Sequence, residues 1–509
     1  MKKFLLPAVL MVLAGTAANA QQANVYASQV KATASNEVSM ILNTDATKVV
    51  IEFLDNQGNV VGSEDLGAGK KGLNTFAVNP TGVESGTYAY RIVCEAPAVT
   101  EATLLTADLP DELNVTTTRT VCVDFYPQSP AFGTVYVGST AYAPTADGNP
   151  TYPGKRIAPG IYTYSADLTP LTEEPYAGGQ EWGGNSSPSN VKVSSNGEVF
   201  VCDWTDGHAG VWVMDPMNPG ADWKSVFAEG ERNADGLLTI NGVNVAGSVQ
   251  DLAVYGEGEN RVLWTQDEDI NGNAHEIFVY NIGNLETPWS TAPTACLGDN
   301  SGYLLNANHR IHADQRGGAW VSQYRWEEGE TLPVLSHFNA KGEWDFKTGD
   351  KTVVLGSAPA GAMGVNSDGS LIVVADADAG HGKHFRVVKA EYDSEGLPTL
   401  ELLYTVSLNP YGTRPMCVAF DAADNVYISF NNVEAEGGVG VWALPKEENK
   451  YTTLANDEIV LGESGVNAVT ADNNVAPVYY DMMGRKVNNP EAGKLYIEVR
   501  GEKATKVNF

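Results

Sequence analysis

The stretch 188–216, PSNVKVSSNGEVFVCDWTDGHAGVWVMDP, decides the fold. Two alternating apolar/polar runs, 191–194 and 198–201, are joined by Ser195-Asn196-Gly197. Asn-Gly between such runs is a hairpin signal, because the tight turn asks both central residues for positive φ. A third run, 210–214, ends at Asp215-Pro216, where proline cannot donate to a ladder. A fourth, 223–227, follows. Four short antiparallel strands cannot bury both faces of their sheet alone, so the sheet needs others like itself on either side.

The chain supplies them. The plan recurs at 249–283, 310–344, 362–392 and 415–444, and more loosely at 120–168. Taking Val121, Val191, Leu252, Ile311, Met363 and Cys417 as first-strand markers, the units repeat every 52 to 70 residues. A four-stranded sheet repeated at this period predicts a β-propeller. It spans 105–458 and has six blades, with five or seven as the alternatives.

Residues 1–20 read as a signal peptide: Lys2 and Lys3, an apolar run at 4–14, then Ala18-Asn19-Ala20 for cleavage. No cysteine follows the cleavage site, so a lipoprotein anchor is not expected, and no later run is long enough for a transmembrane segment. The expectation is an exported protein, secreted, on the cell surface or in the periplasm. Composition agrees: 509 residues, 43% hydrophobic, with 52 Gly and 25 Pro to serve many turns. The net charge is −31, and more negative by two once Lys2 and Lys3 are gone. Such an excess argues against nucleic acid and against docking on anionic lipid. Five cysteines leave at least one thiol unpaired, and Cys202 and Cys417 within strands read as small buried hydrophobes.

Residues 21–98 form a second region. A strand at 49–54 leads through Asp55-Asn56-Gln57-Gly58-Asn59-Val60-Val61 to another, and Gly86-Thr87-Tyr88-Ala89-Tyr90 opens a closing strand. This resembles the FlgD-type Ig-like module, with its D-x-x-G-x-V-V turn and late G-x-Y-x-Y strand. The resemblance implies a small sandwich used as spacer or docking module. Residues 470–509 carry Val478-Tyr479-Tyr480-Asp481-Met482-Met483-Gly484-Arg485-Lys486-Val487, then Gly493-Lys494-Leu495-Tyr496 and a lysine-bearing last strand. This resembles the C-terminal sorting-type domain of secreted Bacteroidetes proteins, which implies secretion machinery as a partner. The alternative is a β appendage with no sorting role. Residues 449–465 are expected to give an outer strand of the last blade and a linker. The fold class expected is therefore all-β: a six-bladed β-propeller between an N-terminal Ig-like sandwich and a short C-terminal β module.

Propeller geometry places chemistry. Loops between second and third strands, and between a fourth strand and the next first strand, emerge on one face. These loops carry five of the seven histidines, including His208 and His309, beside Asp203, Trp204, Asp206 and Asp251. The candidate ligand-binding set is Trp182, Asn190, Asp251, Tyr303, His309, Arg310, Tyr411 and Arg414. Aromatics among amides, carboxylates and arginines suit a carbohydrate, since rings stack on sugars and polar groups pair with hydroxyls. Arg310 and Arg414 would hold an acidic sugar through a planar fork of donors, or pair with neighbouring carboxylates. Asp267, Asp269 and Asn271, in D-E-D-I-N-G, match the first half of a calcium loop, with calcium as the candidate cofactor. The glutamate that would complete such a loop is displaced, so a polar turn is the alternative. The blades resemble NHL and gluconolactonase-type propellers, which implies either binding or metal-dependent lactonase or lyase chemistry. No Ser-His-Asp arrangement or nucleophile elbow is visible. The function expected is an exported binding or scaffold protein engaging a glycan or an envelope protein. The alternative is a metal-dependent lactonase or polysaccharide-cleaving enzyme on the same face, and a plain structural spacer comes third.

Overall fold

The computed structural model describes residues 22–107, 110–140, 156–182, 187–205, 208–233, 236–267, 270, 276–297, 309–314, 316–323, 335–347, 360–376, 384–411, 415–431, 438–462, 478–480, 486–487, 490, 494–500 and 503–508. The expected signal peptide at 1–20 lies outside them. Among the described residues the chain is all-β, with only two single turns of 3₁₀ helix. Among the described residues no helix is long and apolar enough to cross a membrane.

The stretch at 188–216 forms the sheet its alternation predicts. Asn190–Val193 pairs with Val199–Asp203, which pairs with Gly210–Met214, and Lys224–Ser225 makes the outer edge. The turn differs in detail. The Gly197 N–H donates to the Ser194 carbonyl (2.8 Å), and of the Asn-Gly pair only Gly197 has positive φ, at 86°. This is a three-residue connection ending in a left-handed glycine, one residue longer than the tightest hairpin.

Five more sheets follow, four of them four-stranded and the one that begins at Thr118–Val123 three-stranded. Their first strands are Thr118–Val123, Val249–Tyr255, His309–Ala313, Ala360–Val365 and Pro415–Phe420. Each first strand packs on that of the next sheet, and Pro415–Phe420 packs on Thr118–Val123, so the ring closes. Neighbouring sheets share apolar cores. Trp264 is buried with Ile311 and Ala319, Trp320 with Met363 and Val374, and Trp442 with Phe385 and Val418. Burying each aliphatic or Phe side chain of this kind contributes about 1.5–3 kcal/mol. A small three-stranded sheet, Glu231–Arg232, Leu238–Ile240 and Val243–Ala246, is inserted between the second and third sheets.

Closure corrects one expectation. The outer strand of the last sheet is Thr103–Leu104, from before the ring, pairing with Trp442 and Ala443. Lys450–Leu461 instead joins the sandwich, running antiparallel to Gly86–Glu95 from Lys450 opposite Glu95 to Leu461 opposite Gly86. Ile459 and Leu461 are buried in the sandwich core with Val38, Ile51, Phe53 and Ile92, which is why the strand belongs there. The ring is thus inserted between two adjacent strands of one sandwich.

The sandwich is docked on the face of the ring that carries the turns between first and second strands. Tyr26 is buried among Phe125, Phe132, Ala422 and Ala423. The Asn24 N–H donates to Asn425 Oδ1 (2.9 Å), and Asn425 Nδ2 donates back to the Asn24 carbonyl (2.8 Å). Asn449 ties Val25, Ala23 and Pro97 together at the point where the chain returns. Gly133 lies so close that an added Cβ would strike Ser28 of the sandwich. The C-terminal module is a four-stranded sheet in the order Lys486–Val487, Val478–Tyr480, Leu495–Arg500, Lys503–Asn508.

Candidate site in the channel and on its open face

Alternation along the first strands sends every second side chain into the ring lumen. The outer row holds Thr120, Asn190, Asp251, Arg310 and Cys417, and three of these were expected to bind ligand. The structure brings those three together but uses them to hold the strands. Thr120 Oγ1 donates to Asn190 Oδ1 (2.7 Å), between the first and second sheets. Asp251 Oδ2 accepts from the Ile311 N–H (3.0 Å), between the third and fourth. Arg310 Nε donates to the Met416 carbonyl (2.7 Å), linking the fourth sheet to the sixth. Asn190, Asp251 and Arg310 are all buried. Burial raises the Asp251 carboxyl against the pull of Lys192, Arg310 and two backbone N–H donors.

Two aromatics expected to offer stacking faces are core residues instead. Trp182 packs edge-on to Trp212 (ring centroids 5.6 Å apart) and beside Trp223 (5.9 Å). Tyr411 stacks on Phe430 (5.1 Å), and its hydroxyl donates to the Thr106 carbonyl (2.5 Å). Both are buried, so neither ring is open to a sugar. Tyr303 and Arg414 lie outside the described residues, as does the His309 side chain, although His309 itself pairs with Gln323 in the fourth sheet.

The calcium loop is described at its first residue. Asp267 is buried, and its two oxygens accept from the N–H groups of Gly247 (2.7 Å) and Ile270 (3.4 Å). Asp269 and Asn271 lie outside the described residues. Among those described, no three His, Cys, Asp or Glu converge on a common point as a metal set. Asp267 has counterparts at the same strand end in two other sheets. Asp203 accepts from the Thr205 N–H (2.7 Å), and Asp376 accepts from the His384 N–H (3.1 Å) and pairs with Arg386. A buried carboxylate here anchors the loop that follows it. All five cysteines are free, and burial pushes the thiols of Cys94 and Cys122 up to about 12, in keeping with apolar roles.

One arrangement on the open face was not among the expected site residues. His208 Nδ1 hydrogen-bonds Asp203, which Ser187 also contacts, while the imidazole stacks on Trp212 at 5.5 Å and 22°. The side chain is 34% exposed, and Nε2 has no hydrogen-bond partner among the described residues. A carboxylate that fixes one ring nitrogen leaves the other in a defined orientation toward solvent. Trp204, on the same loop and half-buried, lies against the Arg119 guanidinium, 4.8 Å from the ring centroid. The string Asp203-Trp204-Thr205-Asp206-Gly207-His208 carried the signal. What the sequence lacked was a way to rank it above loops that supply arginine.

Residues 24–96 match the FlgD Ig-like domain, so the N-terminal sandwich is of that type. No curated protein matches the chain. Among solved structures, a Bacteroides thetaiotaomicron protein of unknown function is similar at 13% identity and TM-score 0.36, over 82% of this chain and 98% of its own. Regucalcin, a calcium-binding protein from Agrobacterium tumefaciens, is similar at 12% identity and TM-score 0.38, over 69% and 95%. The Dos1 propeller is similar at 11% identity and TM-score 0.31, over 81% and 83%. Likeness of this degree adds nothing to the architecture, which the strand pairing carries: an all-β propeller bearing a FlgD-type Ig-like sandwich.

Proposed function

We propose that the protein is an exported binding protein whose six-bladed propeller presents its open face to a glycan. The observation that carries this reading is that a half-buried Trp204 and His208, whose ring is oriented by Asp203 at Nδ1, follow the same strand within five residues of Asp203. An indole face stacks on a sugar ring, and a fixed imidazole nitrogen pairs with a hydroxyl or a carboxylate. The basic N-terminus with its apolar run supports export, and the V-Y-D-x-x-G-R hairpin motif supports use of a sorting route. Trp204→Ala should abolish binding on a glycan array that the parent recognises. If the variant binds every glycan the parent binds, the site lies elsewhere; if the parent binds an envelope protein and no glycan, the face is a protein-docking surface.

The Asp203–His208 pair favours a second reading, a lactonase or polysaccharide-cleaving enzyme with His208 as general base. His208→Gln separates the two. In a binding protein it should weaken glycan retention, with no product released by parent or variant; in an enzyme the parent should release product and the variant should not. Calcium dependence of either activity, tested with a chelator, decides whether Asp267, Asp269 and Asn271 hold a metal.

A further inference from the structure

Arg310, expected to hold an acidic sugar, is buried among the first strands, yet the open face does carry an arginine. It comes from the small sheet inserted between the second and third sheets, on a connection that emerges on that face. Leu238, Ile240 and Val245 of the insertion are buried with Val211 of the second sheet and Leu252 of the third, so it is anchored to both. Arg232 lies opposite Leu238 in the insertion and is exposed. Its Nη1 donates to the Gly236 carbonyl (3.1 Å), and its Nη2 donates to the carbonyl of Ala209, the residue after His208. These two bonds orient the guanidinium. Among the described residues the Nε–H and the second N–H of each terminal nitrogen have no acceptor, and no carboxylate forms an ion pair with them.

Two carboxylates lie within electrostatic reach. Partial burial lowers the Arg232 guanidinium against the pull of Asp203 and Asp267, and it stays charged, as arginine does. Both carboxylates are themselves buried, with oxygens engaged from within: Asp203 by Ser187, His208 and the Thr205 N–H, Asp267 by the N–H groups of Gly247 and Ile270. They hold the loops and do not reach solvent. Glu231 is exposed, but alternation sends it to the other side of its strand. What a ligand meets around Ala209 is therefore the Arg232 guanidinium, the partly exposed His208 ring and the half-buried Trp204. An imidazole nitrogen can take a hydroxyl and an indole can stack on a sugar ring. A guanidinium only donates, and its planar fork matches a carboxylate.

We propose, resting on the glycan reading above, that Arg232 is the specificity-determining residue of the open-face site and pairs with the carboxylate of a uronic acid. The ligand is then an acidic glycan. An array of uronate oligosaccharides, each beside its carboxyl-reduced form, with neutral glycans alongside, tests this on the full chain. The parent should retain at least one acid form about 10- to 100-fold better than its reduced form. Arg232→Gln should lose that difference and bind the reduced form as the parent does. Arg232→Lys, which keeps the charge without the fork, should keep only part of it. A parent that binds glycans with no preference for the acid form overturns the role of Arg232 and leaves the glycan reading standing, as does a preference that survives in Arg232→Gln. A parent that binds no glycan on the array overturns both. Should Arg232→Gln fail to fold, an undiminished preference in Arg232→Lys overturns the assignment.

Discussion

Asp124, Asp314 and Asp421 occupy the same place in three sheets, at the end of the first strand where the turn to the second begins, yet their surroundings are opposite. The sandwich covers the sector around Asp124 and Asp421, where Tyr26, Phe125 and Phe132 meet. There burial raises both carboxyls to about 7, even though Asp421 accepts from the N–H groups of Ala423 and Asn425 (2.9 Å each). Asp314 lies outside that sector. Burial pushes it up too, but the His337 ring (2.9 Å), the Arg316 N–H and the Arg316 charge outweigh this and hold it below the usual carboxylate range. One turn chemistry therefore serves two purposes. Where the sandwich docks, the turn becomes part of an apolar interface; elsewhere it carries an ion network.

The comparison breaks most completely if the returning strand is removed. Deleting residues 450–461 strips Ile459 and Leu461 from the sandwich core and leaves Gly86–Glu95 without its partner. Soluble, cooperatively folding protein should then be lost, whereas a chain ending at residue 462 should keep its Tm within a few degrees. Thermal unfolding of both truncations checks this. Next in size is the interface itself. Tyr26→Ala removes a fully buried ring that meets Phe132 at 5.8 Å and Tyr451 at 6.0 Å, and should cost about 3–5 kcal/mol in denaturant titration.

The pH dependence sharpens the contrast between the two sectors. Asp124 and Asp421 have folded-state pKa values above the unfolded value of about 3.9. Their contribution is therefore fully present below pH ~4 and lost as pH rises to about 7, on the order of 4 kcal/mol for each. Asp314 is shifted the other way, so its contribution is present above pH ~4 and lost as pH falls through its lowered value. Denaturant midpoints measured between pH 4 and 7 should fall with pH in the parent and flatten in Asp421→Asn. An unchanged slope in that variant would show that Asp421 is ionised throughout. The smallest effect belongs to the open face. Trp204→Ala should cost no more than about 1 kcal/mol of stability, because the ring is half-buried against Arg119, while still abolishing ligand binding.

The repeat was legible because alternation and turn residues are local. Asn190–Val193, Val199–Asp203 and Gly210–Met214 fall where the pattern puts them, and the D-x-x-G-x-V-V motif marks the sandwich. Long-range pairing was not legible. Nothing in the residues 450–461 says that their partner is Gly86–Glu95, some 350 positions earlier, rather than the blade just completed. The site was read in part for a related reason. Asn190, Asp251 and Arg310 were expected around the channel mouth; they lie within the first strands, where polar groups have neighbouring strands within reach and are consumed by them. Trp182 and Tyr411 looked available because loop position says nothing about the packing of a ring.

Sandwich and ring folding as one body is the claim on which the covered and open faces depend, and the chain carries its own probes. All ten tryptophans lie between residues 182 and 442, so fluorescence reports on the ring, while Cys94 is the only cysteine in the sandwich and is buried. Pulsed thiol labelling of Cys94 along a guanidinium titration, read by mass spectrometry, should give the same midpoint as tryptophan fluorescence. Labelling of Cys94 at denaturant concentrations where the fluorescence is still native would show that the sandwich unfolds independently and would contradict the account.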